Sequence, residues 1–275
     1  MLYLIATPIG NLGDMTFRAV EMLQQCDYVL CEDTRHSRLL LEHYKIDTPL
    51  KSFHKFSEAS KEKEVLSDLQ SGKEIALISD AGTPGISDPG TRLVKSCLEE
   101  RIPVVSIPGP CAAIAALTCS GLDTDTFQFI GFLPRKPNSV RKILQEALMY
   151  SGTTICYESP QRLLKVLSLI DELSPDRHLV VARELTKKFE ETIRGKAKEI
   201  IEHFSHSAPK GEIVLLIEKA AEILDWSKLT PEEHVDFLQH AYHLCKQEAI
   251  KLAAKQRNVP KREIYNKIIH TFEIE

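Results

Sequence analysis

Short apolar runs alternate with amphipathic stretches over the first 120 residues, and this alternation predicts a mostly parallel α/β sheet. Residues 2–6, 28–31, 49–53, 74–79 and 103–107 are short and largely apolar, as buried strands are. Helical spacing of apolar residues fills the intervals at 16–25, 35–44, 57–71 and 90–100. A turn, Pro108-Gly109-Pro110, then leads into an alanine-rich run from Cys111 to Leu117. Strand–helix–strand repetition of this kind places helices on both faces of the sheet.

Around Ser120-Gly121-Leu122-Asp123 the rhythm changes. Strands are predicted at 126–131, 153–157, 178–183, 189–194 and 212–218. Only five residues separate 178–183 from 189–194, too few for a parallel crossover, so these two must pair antiparallel if they pair. Beyond Lys219 the strand signals stop, and helices are expected over 230–243, 246–257 and 260–271. Thr230-Pro231-Glu232-Glu233 supplies an N-cap, an N1 proline and early acids. The expected organisation is an N-terminal parallel α/β domain over 1–119, a mixed α/β domain over 120–222, and a helical, helix-turn-helix-like appendage over 228–275. That appendage either packs as a tail on the main body or touches phosphates.

One loop has the build of a binding site. Ser79 to Gly90 holds three glycines, two prolines and two aspartates, and it leaves the end of a predicted strand. Ligands of parallel α/β sheets sit at such strand ends. The glycines at 82, 85 and 90 do not make a G-x-G-x-x-G turn. Gly85 and Gly90 have P-loop spacing, but Thr91 stands where that motif needs lysine. Asp80 and Asp88 suit hydroxyls, an amine or a cation better than a polyphosphate. The alternative is a rigid surface turn.

Composition narrows the class. The 275 residues are 43% hydrophobic and 27% charged, ordinary for a globular protein. No apolar run approaches the ~20 residues of a membrane span. The start, Met1-Leu2-Tyr3-Leu4-Ile5-Ala6, has no basic leader and reads as a first strand. Seven cysteines with no C-x-x-C pair suggest reduced thiols in a cytoplasmic protein. His203/His206 and His240/His243 each share a helical face, but neither has a third ligand at suitable spacing, so no metal site is expected.

A formal net charge of −4 argues mildly against general affinity for nucleic acid. The charge is uneven, however. Residues 244–270 carry seven basic side chains against two acidic ones, Lys255, Arg257, Lys261 and Arg262 among the former. Arg135, Lys136, Arg141 and Lys142 form a second cluster beside Phe132 and Pro134. Both are candidate RNA contacts, or else solvated helix faces.

Taken in order, the motifs resemble those of the tetrapyrrole methylase superfamily. The blocks include Ala6-Thr7-Pro8-Ile9-Gly10-Asn11-Leu12-Gly13-Asp14, Cys31-Glu32-Asp33-Thr34-Arg35-His36, Ser79 to Gly90 and Pro108-Gly109-Pro110-Cys111-Ala112-Ala113. Gly131-Phe132-Leu133-Pro134, Tyr157-Glu158-Ser159-Pro160, Ala182-Arg183-Glu184-Leu185-Thr186-Lys187 and Gly211-Glu212-Ile213-Val214 continue the series. Within the superfamily the chain is most similar to the branch that methylates the ribose 2′-hydroxyl of a cytidine in the decoding centre of 16S ribosomal RNA. The resemblance implies a two-domain homodimer with S-adenosylmethionine in the cleft between domains and the small ribosomal subunit as partner. Carried over by motif, the cofactor contacts are Pro8, Ser79, Asp80, Ala81, Ile86, Cys111, Ala112, Tyr157, Glu158, Gly195 and Gly211. Relatives usually carry a G-G-D-P version of the central loop, whereas here two further residues separate Asp80 from Ile86.

A protonated 2′-hydroxyl is a poor nucleophile, so a base or a nearby cation should assist its attack. The densest polar sets are Arg183 to Lys187 with Glu190, and Glu32-Asp33-Arg35-His36. Glu184 or Lys187, with Arg35, either orients the hydroxyl or its phosphate, or belongs to an ion-pair network bracing the domains. Two other functions remain open, a small-molecule methylase acting on a tetrapyrrole and a non-catalytic ribosome-binding module.

Overall fold

The computed structural model describes residues 1–54, 58–220, 226–242 and 244–270. Residues 57, 243 and 271, at the edges of three expected helices, lie outside the described residues, as do 221–222 and 271–275 of the expected domains.

The first half is a five-stranded parallel sheet in the order β3-β2-β4-β1-β5. Its strands are β1 Leu2–Ile5, β2 Tyr28–Cys31, β3 Leu50–Ser52, β4 Ile75–Leu77 and β5 Val104–Ile107. Alternate side chains along the strands serve two cores. Tyr3, Ile5, Val29, Cys31 and Ala76 pack with α1 (Phe17–Gln25) and α2 (Thr34–His43). Leu2, Tyr28, Leu30, Ile75 and Leu77 pack with α3 (Glu58–Gln70) and α4 (Thr91–Glu99). Side-chain caps start the first two helices: the Thr16 hydroxyl accepts from Ala19 N, and the Asp33 carboxylate from Arg35 N.

Helix α5 (Ala112–Ser120) ends at Gly121 and is sandwiched between the two halves. Its Ala113, Ala116 and Leu117 join Ile9 on one side and Ile155, Val180, Val214 and Leu216 of the second sheet on the other. That sheet is mixed, in the order β6-β7-β10-β8-β9. Its strands are β6 Phe127–Phe132, β7 Thr153–Glu158, β8 His178–Arg183, β9 Glu191–Lys196 and β10 Ile213–Ile217. β6 and β7 are parallel, and β8 and β9 pair antiparallel as their short connection requires. The far face is covered by α6 (Pro137–Leu148), α7 (Pro160–Leu173) and α8 (Ala197–His203), three helices the sequence reading did not place.

Three further helices follow: α9 Pro231–Tyr242, α10 Lys246–Gln256 and α11 Lys261–His270. They share a core of Val235, Leu238, Ile250, Ala253, Ile264 and Ile268. Met149 and Tyr242 connect this core to the second half. Among the described residues no helix is long and apolar enough to cross a membrane.

Candidate active site

The first sheet contains the geometry that makes a crevice. From β2 the chain continues to β3 on one side, and from β4 it crosses to β5 on the other. β2 and β4 are neighbours, so the loops leaving their carboxyl ends diverge and open a gap at the topological switch point. The loop after β4 is also tied to the loop after β1, because Thr7 and Gly82 exchange backbone hydrogen bonds of 2.9 and 3.0 Å. The Thr7 hydroxyl also donates to the Ser79 carbonyl at 3.1 Å.

The second sheet closes over this gap and leaves a cavity of about 460 Å³, a volume suited to a small-molecule cofactor. The first half lines it with Ile9, Glu32, Asp80 to Thr83, Ile86 to Asp88, Cys111 and Ala112. Phe132, Tyr157 to Pro160, Ala182, Leu185 and Gly211 to Val214 line it from the second half.

Of the residues expected to hold a cofactor, the cavity therefore brings together Asp80, Ala81, Ile86, Cys111, Ala112, Tyr157, Glu158 and Gly211. Pro8 and Ser79 lie just outside its lining. The Ser79 hydroxyl donates inward to the Ala81 and Gly82 carbonyls, so it shapes the loop. Gly195 is further off, in β9, where the Glu199 side chain packs over it. Glu32, Asp88, Phe132, Leu185 and Glu212 line the cavity without having been assigned to a cofactor or to catalysis.

Three carboxylates gather on one wall. Asp80 accepts from the Asp33 backbone N at 3.2 Å, which fastens the end of β2 to the central loop. Asp88 is half-buried, and its carboxyl is pushed up to about 6, first by desolvation and then by the negative charges of Glu32 and Asp80. The Ser79 hydroxyl opposes that shift by hydrogen bonding to it. On the opposite wall Glu158 is fully buried, with one oxygen accepting from Ser159 N at 2.7 Å. Its Oε2 lies 3.2 Å from Arg162 as an ion pair, but no partner meets it with hydrogen-bond geometry. Burial raises the Tyr157 phenol to about 12, so it stays protonated.

Glu184 and Lys187 sit at the edge of this cleft in one tight network. Lys187 Nζ donates to Glu184 Oε1 at 2.9 Å and to Glu212 Oε2 at 2.7 Å. Burial alone would lower the lysine pKa, yet the two carboxylates outweigh it and hold the group as an ammonium. The Lys187 hydrogen bond in turn lowers Glu184, so neither side chain has the pKa of a base poised near neutrality. Gly211, at φ +83°, is what admits Glu184, because a Cβ there would collide with its carboxyl. Arg35 stands apart: it pairs with Asp33 at 3.0 Å, is 90% exposed and lies outside the cavity lining.

The basic candidates divide. Arg135, Lys136 and Lys142 are exposed around the start of α6, as are Lys261 and Arg262 at the start of α11. Arg141 pairs with Glu172 at 3.0 Å, and Lys255 with Glu146 at 3.1 Å. Arg257 is committed inward and corrects the picture of a continuous basic face. It donates to the carbonyls of Trp226, Leu229 and Thr230 and to Nδ1 of buried His234. Among the described residues no three His, Cys, Asp or Glu side chains are placed to hold a metal, and His243 lies outside those residues.

A cofactor-sized cleft between a parallel and a mixed sheet defines a methylase architecture, and the chain belongs to the tetrapyrrole (corrin/porphyrin) methylase family, whose model matches residues 1–201. The crystal structure of a cobalt precorrin-4 methyltransferase shares the fold, with a TM-score of 0.61 at 19% identity over 79% of this chain and 94% of that one. In sequence the chain is far more similar to ribosomal RNA small subunit methyltransferase I of Halalkalibacterium halodurans. The two are 45% identical over 270 residues, which cover 96% of this chain and 93% of the relative. The protein of the same name from Synechocystis is also 45% identical, over 96% of each chain. By family, then, this protein is a methyltransferase.

Proposed function

We propose that the cleft binds S-adenosylmethionine and that the protein methylates the 2′-hydroxyl of cytidine 1402 in the decoding centre of 16S ribosomal RNA. In this reading it works as a cytoplasmic homodimer on the small ribosomal subunit. The observation that carries the reading is the acid-walled cavity at the switch point, in a chain 45% identical to relatives named for this RNA. Glu32, Asp80 and Asp88 suit the cofactor's sulfonium, ammonium and ribose hydroxyls. The buried Oε2 of Glu158 still has a place for a donor, and Ile86, Ile213 and Val214 suit an adenine ring.

S-adenosylmethionine supplies an electrophilic methyl group on sulfur. The chain's task is alignment, which alone lowers such barriers by several kcal/mol, on the order of 7–11 in well-oriented model reactions. The tied loops after β1 and β4 hold one wall in a single geometry. Lys187, kept charged between Glu184 and Glu212, orients the incoming ribose or its phosphate. Lys261 and Arg262 of the C-terminal helices, with Arg135, Lys136 and Lys142, meet the RNA backbone. The division into 1–119, 120–222 and 228–275 fits these roles as cofactor half, covering half and RNA arm.

Transfer of a labelled methyl group to 30S particles, free 16S rRNA and a porphyrinoid tests the reading. We expect label on the RNA alone. Label on the porphyrinoid alone would make the protein a small-molecule methylase, and none on any acceptor would leave a binding module.

A further inference from the structure

We propose that Phe132 is the stacking platform for the base of the nucleotide being methylated, with Arg135 and Lys136 on the flanking phosphates. The inference rests on the RNA-methyltransferase reading above and assigns its target-nucleotide subsite.

Large aromatic side chains exposed to solvent are few here, and Phe132 differs from the rest in position. Among the described residues Phe17, Phe127, Phe189 and Tyr265 are exposed as well, but none of them lines the cavity; Phe132 does, at 61% exposure. The backbone is bent to put it there. The pairing of β6 with β7 shifts register between Phe129 and Phe132, and Gly131 takes φ +67° inside the shift. Such bulges re-aim the side chain that follows them. At Gly131 the bulge rests against Ser87 of the acidic loop, where an added Cβ would lie 3.4 Å from the hydroxyl. The strand therefore turns Phe132 towards the cleft and passes close to the opposite wall in doing so.

The ring is held without being covered. It makes an edge contact with Tyr157 at 5.4 Å between centroids, and Tyr157 makes another with Phe129 at 4.8 Å. The next residues are fixed from below, since Arg162 donates to the Leu133 carbonyl at 3.0 Å and to the Pro134 carbonyl at 2.5 Å. Arg135 and Lys136 follow, both exposed, with no side-chain partner among the described residues. A rigid aromatic at a cavity mouth, followed by two free cations, matches the chemistry of an unpaired nucleotide. Proteins read single-stranded RNA by splaying bases onto aromatic rings while cations take the phosphates. A ribose hydroxyl reaches a closed cleft only if its nucleotide leaves the stack, and the base then needs a surface to rest on.

The test compares Phe132→Ala, Phe132→Leu and Phe132→Trp in methyl transfer to 30S particles, with cofactor affinity measured by calorimetry on the same preparations. Phe132→Ala should lower kcat/KM for the RNA about ten- to a hundredfold, the range for losing one base stack. Phe132→Trp should restore most of it, Phe132→Leu little, and all three should bind S-adenosylmethionine as the wild type does. Arg135→Ala/Lys136→Ala should weaken RNA binding and flatten its salt dependence by about one to two phosphate contacts. Unchanged kcat/KM in Phe132→Ala overturns the proposal, as does rescue by leucine equal to that by tryptophan. Parallel loss of cofactor affinity also overturns it, by giving the ring to the cofactor site. A wild-type protein that methylates no RNA overturns instead the reading on which the platform rests.

Discussion

Asp88 is a group that the fold holds at a cost, and replacing it with asparagine should make the protein more stable above pH 6. Its carboxyl ordinarily titrates at 3.8 and in the folded chain at about 6. At about 1.4 kcal/mol per pH unit, that difference is roughly 3 kcal/mol against the charged form. Asp88 is only half-buried, so solvent screening reduces the figure to about 1–2 kcal/mol. The sign follows from proton binding. A folded state with the higher pKa binds the proton more tightly, so stability is lost as pH rises from about 4 to 6 and stays lost above. Asp88→Asn removes that loss while keeping the shape. Urea unfolding should therefore show the variant about 1–2 kcal/mol more stable at pH 8, with the gap closing as pH falls towards 4. Calorimetry on the same variant should show weaker S-adenosylmethionine binding, the usual exchange of stability for function at a site. A variant no more stable at pH 8, or a gap that ignores pH, would refute the argument that Glu32, Asp80 and burial act on this carboxyl.

Asp80→Ala should weaken cofactor binding at least about tenfold, or ~1.4 kcal/mol, because it removes a cavity carboxylate and frees the Asp33 amide it holds; unchanged affinity by calorimetry would end that role. The double variant Glu184→Gln/Lys187→Met should keep cofactor affinity and lose methyl transfer by more than about tenfold, whereas full turnover would confine the pair to bracing. Arg257→Ala should loosen α9 to α11, costing roughly 1.5–3 kcal/mol for hydrogen bonds made by a charged group to mostly part-buried acceptors. Amide exchange would read this as faster opening of those helices with cofactor affinity intact. Unaltered exchange with a flatter salt dependence of RNA binding would instead return Arg257 to the RNA face.

All ten strands were legible, most of them as short apolar runs like Ile213-Val214-Leu215-Leu216-Ile217, although β3 (Leu50-Lys51-Ser52) and β9 (Glu191-Thr192-Ile193-Arg194-Gly195-Lys196) are not apolar. The helices of the second half were harder to place. α6 and α7 begin at Pro137 and Pro160 after caps that make no side-chain hydrogen bond, and α8 has only seven residues. The cavity's first wall could be read because one loop carries it, from Asp80 to Asp88. Of the second wall the motifs offered Tyr157, Glu158 and Gly211 but not Phe132, Leu185 and Glu212, which come from the end of β6, the loop after β8 and the residue before β10 and meet only through sheet packing. Gly195, carried over by motif, lies in β9 outside the cavity lining, where its missing side chain leaves room for Glu199 of α8. Arg257 looked like its basic neighbours, and only its orientation towards Trp226 and His234 separates it from them.

The fit of Glu184 against Gly211 also constrains how this chain can change. A side chain at 211 would have to displace the Glu184 carboxyl, which occupies the space for its first carbon, and would be strained at a φ of +83° besides. Shortening 184 opens the space and releases Lys187 and the Glu212 amide from it. The two positions are therefore coupled, since any side chain at 211 pushes the glutamate off its partners. A larger residue at this point of the cavity's rim thus comes at the expense of the Glu184–Lys187 ion pair, whichever of the two positions changes first.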